Sequence, residues 1–121
     1  MISPYKGKTG LRRVINATGY SLAGLRTAFR QEAAFRSLVL LNVVLIPLTF
    51  FLNVSRVEQA VLIAVCLLAL IVELLNSAVE AAIDRISLEL HPLSKNAKDM
   101  GSAAQFVALT MITLVWAVIL I

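Results

Sequence analysis

Three long apolar segments constrain the fold of this chain more strongly than any other feature of its sequence. They lie near residues 37–53, 59–84 and 102–121 of a 121-residue chain whose mean hydropathy is +0.88. A helix that crosses a bilayer needs about 20 mostly apolar residues, and each segment approaches or exceeds that length. We therefore predict an all-α membrane protein with three transmembrane helices, in a single domain over residues 1–121.

Lysine and arginine residues are distributed unevenly around these segments. Seven of the eleven precede the first segment, and three more lie between residues 85 and 99. Only Arg56 lies between the first and second segments. Because cytoplasmic loops carry an excess of Lys and Arg, this distribution predicts a cytoplasmic N-terminus and a cytoplasmic 85–99 connection.

The segment before the first span, about residues 8–33, has the periodicity of an amphipathic helix. Its apolar stripe covers an arc of about 100°. The stripe consists of Leu11, Val14, Ile15, Thr18, Leu22, Leu25 and Phe29. A basic helix with one apolar stripe is typical of the surface of an anionic leaflet. The alternative is a soluble amphipathic helix that packs against a partner.

Two further features of the spans give local expectations. We expect Pro92 and Gly101 to interrupt the helical path between the second and third spans. We expect Asn42, inside the first span, to form a hydrogen bond between helices.

The second apolar segment carries a polar face. On an ideal helix, five polar side chains share about 100° of its surface. They are Glu73, Asn76, Ser77, Glu80 and Asp84. Because a charged group in hydrocarbon costs about 2.5–3.5 kcal/mol, this face must lie against protein or water, which implies a homo-oligomer or a cavity lined by helices. The pattern fits a polar network that fixes the oligomeric state, ion or proton transport, or catalysis at a Mg²⁺–nucleotide site.

Familiar nucleotide-binding motifs are absent from the sequence. It has neither the P-loop pattern nor the glycine-rich loop of protein kinases. A lone Cys66 and a lone His91 cannot form a zinc site by themselves. Phosphate chemistry in this chain would therefore depend on the carboxylates and the basic residues that flank them.

Several motifs of the chain together resemble the small prokaryotic diacylglycerol kinases. They are "ATGYSLAGLR" (17–26), "EAAFR" (32–36), "IVELLNSAVEAAIDR" (71–85) and "AKDMGSAA" (97–104), in this order and spacing. The resemblance implies a homotrimeric helix bundle of three-span subunits, each with an N-terminal surface helix, in the inner membrane of a bacterium. It also implies Mg²⁺-dependent transfer of the ATP γ-phosphate to the primary hydroxyl of diacylglycerol, which gives phosphatidic acid at the cytoplasmic face. A nucleic-acid partner is not expected.

The same resemblance implies roles for individual residues. Glu73 matches the general base, with Asn76 beside the reacting hydroxyl, and Glu32 and Glu80 match ligands of magnesium. The positions that resemble the ATP site are Arg13, Tyr20, Glu32, Glu80, Glu89, His91, Lys98 and Asp99. The positions expected to contact the lipid substrate are Arg13, Gly19, Ser21, Arg26, Glu73 and Ser102.

Three other functions remain open at the level of sequence. A related kinase that phosphorylates undecaprenol would share the mechanism, and "HPL" (91–93) is compatible with it, whereas "KDMGSAA" favours diacylglycerol. A small proton-coupled transporter would also use a carboxylate within the membrane. A purely structural membrane subunit would tolerate Glu73→Gln.

Overall fold

The computed structural model describes residues 10–121, and this part of the chain is helical throughout its regular structure. Residues 8 and 9 of the predicted surface helix lie outside the described residues. The four helices are α1 (Gly10–Gln31), α2 (Ala33–Leu48), α3 (Arg56–Ile86) and α4 (Pro92–Leu120). Three of them, with α2 extended to Phe51, are long and apolar enough to cross a membrane. The prediction of three apolar spans after an amphipathic helix is therefore confirmed for the described residues.

A single extended residue separates the surface helix from the first span. Glu32 has φ −115° and ψ 107°, which ends α1 and starts α2 in a new direction. The Arg36 guanidinium reaches back and donates hydrogen bonds to the carbonyl oxygens of Phe29 (2.8 Å) and Arg30 (3.1 Å). Because the last carbonyl groups of a helix have no partners within it, Arg36 caps α1 and stabilises the corner.

The connection between α2 and α3 is short and hydrogen-bonded. Pro47 lies in the last turn of α2, which passes into a 3₁₀ turn at Thr49–Phe51. Helix α3 then begins with a capping box: Ser55 Oγ accepts from the Glu58 N–H (3.1 Å), and Glu58 Oε1 accepts from the Ser55 N–H (2.8 Å). These two contacts satisfy backbone donors that would otherwise have no partner at the helix start.

Helices α3 and α4 form the most extensive helix pair of the molecule. The apolar core joins them to α2 through five buried residues: Leu38, Val65, Ala69, Ala108 and Ile112. Helix α4 begins at Pro92, a position that suits proline because no backbone donor is needed there. The helix continues without a break through Gly101, so the expected interruption at this glycine is wrong.

Asn42 is buried on α2 but does not connect two helices within the described chain. Its Nδ2 donates to the Leu38 carbonyl oxygen of its own helix (2.9 Å), and its Oδ1 has no hydrogen-bond partner in residues 10–121. The expectation of an interhelical hydrogen bond is therefore wrong for this chain alone. The outer faces of α2, α3 and α4 expose large apolar side chains, as expected where lipid or other chains cover them.

Candidate active site

The buried carboxylate of Glu73 is the deepest charged group of the polar face. Its side chain lies on the surface of α3 that packs against α4, and the residue is only 6% exposed. Gln105 of α4 donates through Nε2 to Glu73 Oε2 at 2.9 Å and to the Ala69 carbonyl oxygen at 3.3 Å. A carboxylate in this position is separated from bulk water and held by a neutral donor.

Asn76 lies one turn nearer the end of α3 and occupies a notch in α4. The notch exists because Gly101 has no side chain, and a Cβ atom added there would overlap Asn76 Oδ1. Asn76 Nδ2 donates to Glu80 Oε1 at 3.4 Å, whereas Oδ1 is buried without a hydrogen-bond partner among the residues described. The glycine therefore makes room for the Asn76 amide, whose oxygen is enclosed against α4.

An ion pair joins the two helices nearer their ends. Lys98 Nζ lies 2.8 Å from Asp84 Oδ1, and Lys95 Nζ lies 2.6 Å from Asp99 Oδ2 within α4. Three of these four charged residues lie within residues 92–99, before the uncharged stretch of α4. The hydrogen bond that Lys98 Nζ donates to Asp84, and then the negative charge of Asp84, raise the pKa of the Lys98 ammonium group. This lysine is therefore a cation at neutral pH.

A pocket of about 740 Å³ opens beside this ion pair, between the end of α3, the connection 87–91 and the start of α4. It brings together four of the residues predicted to hold ATP: Glu89, His91, Lys98 and Asp99. His91 also caps α4, since its Nδ1 accepts from the Leu93 N–H at 3.1 Å. The pocket thus combines charged and polar side chains with access from outside the helix pair.

Glu32 lies in a different groove. This groove, of about 330 Å³, separates the end of α1 from α3 and is lined by Glu32 together with Leu74, Ser77, Ala78 and Ala81. At 100° per residue, these α3 positions face about 110° away from Glu80. Nowhere in residues 10–121 do three His, Cys, Asp or Glu side chains form a group that could hold a metal ion.

The remaining predicted residues lie away from these two pockets. Five of them are exposed on α1, and one is exposed on α4: Arg13, Gly19, Tyr20, Ser21, Arg26 and Ser102. Ser21 Oγ donates to the Ala17 carbonyl oxygen of its own helix at 2.9 Å. The α1 positions share a helix with the exposed apolar stripe, whose members include Leu22 and Leu25.

Sequence reasoning missed the α4 side of the polar face. Gly101 and Gln105 follow Lys98 at intervals of three and four residues, and Ala108 and Ile112 continue the series. This spacing places all five on one face of α4. A stripe that enters an apolar span was therefore visible in the sequence, but none of the four quoted motifs includes Gln105.

The fold and these polar clusters define a small three-span membrane protein with carboxylates, amides and a lysine gathered at one end of its helices. A sequence model described as "Prokaryotic diacylglycerol kinase" matches residues 19–120. The chain is 76% identical over 119 residues to the diacylglycerol kinase of Pseudomonas aeruginosa, covering 98% of this chain and 97% of the relative. It is 52% identical over 112 residues to that of Haemophilus influenzae (93% and 95% covered), and 44% identical over 112 residues to that of Escherichia coli K12 (93% and 92%).

The chain belongs to the prokaryotic diacylglycerol kinase family. The family predicted from the four motifs is therefore confirmed.

Proposed function

We propose that this chain transfers the γ-phosphoryl group of ATP to the primary hydroxyl of diacylglycerol, giving phosphatidic acid and ADP. Support comes from membership of the family and from 76% identity, over nearly the whole chain, to a protein named diacylglycerol kinase. The observation that carries the proposal is the buried Glu73 carboxylate, which lies on α3 between the apolar core at Ala69 and the pocket that begins at Ile83, about 15 Å further along the helix. A lipid hydroxyl and a water-soluble nucleotide would meet at this depth.

Glu73 acts as the general base in this proposal. The hydroxyl oxygen of the lipid attacks the γ-phosphorus, a new O–P bond forms, and the bond between the γ-phosphorus and the bridging oxygen breaks. The hydroxyl proton passes to the Glu73 carboxylate, and ADP leaves. Asn76, one turn further along α3, would lie beside the reacting hydroxyl group, with its Oδ1 held against Gly101 of α4.

The nucleotide would occupy the pocket between α3 and α4. Lys98 supplies a positive charge for the phosphate groups, and Glu89, His91 and Asp99 line the same space. Lys98 must exchange its contact with Asp84 for one with phosphate, which an exposed ion pair permits because such pairs are weak. Arg13 and Tyr20 on α1 would complete the ATP site, and Gly19, Ser21, Arg26 and Ser102 would contact the lipid.

Magnesium would be held by Glu32 and Glu80 together with the phosphates of ATP. Carboxylate oxygens are donors that Mg²⁺ prefers, and this ion commonly takes only one or two of them from the protein. When bound, it neutralises developing charge on the transferred phosphoryl group. The donor chemistry fits the ion, but within one chain the groove that contains Glu32 faces away from Glu80.

A homotrimer would resolve this separation if the α1–α2 corner of one chain faced α3 of another. The exposed apolar surfaces of α2, α3 and α4 are compatible with such contacts. The distribution of Lys and Arg supports a cytoplasmic N-terminus and active site in the inner membrane of a bacterium.

Radiolabelled ATP with purified protein in mixed micelles tests the proposal. Diacylglycerol and undecaprenol are offered separately, and Glu73→Gln is assayed beside the unaltered chain. We expect phosphatidic acid from diacylglycerol and a loss of turnover of about 10²–10⁴-fold in Glu73→Gln, the usual range for a general base.

Turnover chiefly on undecaprenol would change the substrate and keep the mechanism. If a folded oligomer phosphorylated neither lipid, the kinase assignment would be wrong, and proton-coupled transport would be measured instead in vesicles that carry a pH gradient. Full activity of Glu73→Gln would remove this residue from the mechanism.

A further inference from the structure

Gln105 contacts the proposed base from the opposite helix. Its amide nitrogen donates both to Glu73 Oε2 (2.9 Å) and to the Ala69 carbonyl oxygen (3.3 Å). The two acceptors belong to one turn of α3, and Ala69 is fully buried. Because the amide is attached at two points, the contact restricts both the Gln105 side chain and rotation of the Glu73 carboxylate.

We propose that Gln105 is a positioning residue that orients the Glu73 carboxylate for proton transfer from the lipid hydroxyl. One carboxylate oxygen, Oε2, is engaged by the amide, which leaves Oε1 to face the reacting group. A hydrogen bond held in place before the reaction saves reorganisation during it, and small displacements of a reacting group are costly in rate. This inference rests on the proposed function, because it requires Glu73 to be the base.

A neutral amide suits this position better than a cation. A lysine or arginine at residue 105 would form an ion pair with Glu73 and favour its charged state, which opposes uptake of a proton. The amide of Gln105 orients the carboxylate without adding a charge.

The amide oxygen of Gln105 adds a second observation. Gln105 Oε1 is buried and has no hydrogen-bond partner in the part of the chain that the structure describes. When Glu73 has accepted the proton on Oε1, its Oε2 remains an acceptor for Gln105 Nε2, so Gln105 Oε1 need not turn toward the Ala69 carbonyl oxygen. A single neutral side chain can therefore contact the base in both protonation states.

The test is a double-mutant cycle that measures kcat and both KM values in mixed micelles. Gln105→Met keeps the length of the side chain and removes the donor, whereas Gln105→Glu keeps its shape and places an acceptor against Glu73. Each is made in the unaltered chain and in Glu73→Gln. Thr110→Val is the control, since Thr110 lies on the same helix and its hydroxyl donates to the Phe106 carbonyl oxygen of that helix (2.8 Å).

We expect Gln105→Met to lower kcat about three- to tenfold, the effect of losing one such hydrogen bond, with both KM values unchanged. Gln105→Glu should lower kcat further, and Thr110→Val should leave it unchanged. In the Glu73→Gln background, Gln105→Met should have no additional effect, because the group it positions is gone.

Unchanged kcat in Gln105→Met, in an enzyme that Glu73→Gln inactivates, would overturn this inference and leave the proposed function intact. An equal loss in both backgrounds would also overturn it, since it would indicate a purely structural role. If Gln105→Met failed to fold, Gln105→Leu would take its place in the same cycle. Full activity of Glu73→Gln would instead identify a failure of the proposed base.

Discussion

The two halves of α3 pack against α4 by different chemistry. The N-terminal half of α3, residues 56–71, is the outer half in the orientation proposed above. There Leu62, Cys66 and Ala69 are fully buried, and Ala69 belongs to the apolar core that includes Ala108 and Ile112 of α4. In the C-terminal or inner half, residues 72–86, carboxylates, amides and a lysine form polar contacts with α4. One helix pair thus separates a region that stabilises the fold from a region that can do chemistry.

This difference in contacts explains why the inner half of α3 can contain charged residues. Hydrocarbon cannot satisfy polar groups, so each must find a partner in protein or water. Glu73 accepts a hydrogen bond from the Gln105 amide, and Asp84 accepts one from the Lys98 ammonium group. Apolar packing in the outer half holds α3 and α4 in the relative position that brings these pairs together. Substitutions should therefore affect either stability or activity, according to the half in which they lie.

The strongest test of this division is Leu62→Ala in the outer half. Leu62 is fully buried, so its truncation should lower the free energy of unfolding by about 2–5 kcal/mol. The kcat of the folded fraction should not change. Leu67→Ala is the matched control on the same helix. Because Leu67 is 45% exposed, its truncation should lower the free energy of unfolding much less.

Reversible unfolding in mixed micelles titrated with sodium dodecyl sulfate measures both variants. An equally large cost for Leu67→Ala would mean that another chain covers this part of α3. A reduced kcat in folded Leu62→Ala would contradict the separation of the two halves.

In the inner half, Gly101→Ala should reduce activity strongly. The added methyl group would displace Asn76, and a shift of about 1 Å in a reacting constellation can cost about 10²-fold in rate. Gly24→Ala on α1 is the control, since a Cβ atom there meets nothing within 4 Å. Steady-state kinetics of the two variants should differ by this factor, whereas equal activities would show that the position of Asn76 does not matter.

Lys98→Met tests whether this lysine of the inner half contacts the phosphate groups of ATP. Losing one charged contact to phosphate should raise KM for ATP about tenfold and leave KM for diacylglycerol unchanged. Lys95→Met is the control, because Lys95 lines the same pocket but pairs with Asp99 of its own helix. If both variants changed KM for ATP equally, the specific assignment of Lys98 would be wrong.

Much of the fold was predictable from the sequence because the bilayer imposes strict rules on length and polarity. The three spans followed from apolar length, and the polar face of α3 followed from helical periodicity. Gly101 was misread as a break, since an isolated glycine costs a helix only about 1 kcal/mol and here it receives the Asn76 side chain. The helix propensity of glycine contains no information about a side chain that packs against it from another helix.

The candidate site was predictable only in part, because it depends on how the helices face one another. Spacing along α3 grouped Glu73, Asn76 and Glu80, but it could not reveal that Glu32 faces a separate groove. Gln105 was missed because it is a single amide in an apolar span, outside the four quoted motifs. Its partner is 32 residues away in the sequence, and only the antiparallel packing of α3 and α4 brings the two side chains together.

The smallest expected effect lies at the outer start of α3, where Ser55 and Glu58 form the capping box. Ser55→Ala removes the acceptor for the Glu58 N–H and should lower the free energy of unfolding by about 1 kcal/mol. Ser55→Asp is the matched control, because aspartate is an equally good cap and should preserve stability. The same detergent titration measures both variants, and kcat should remain unchanged because the cap is at the far end of α3 from Glu73. A loss of activity without a loss of stability would show that the outer turn influences the site, and the two halves of α3 would then no longer be independent.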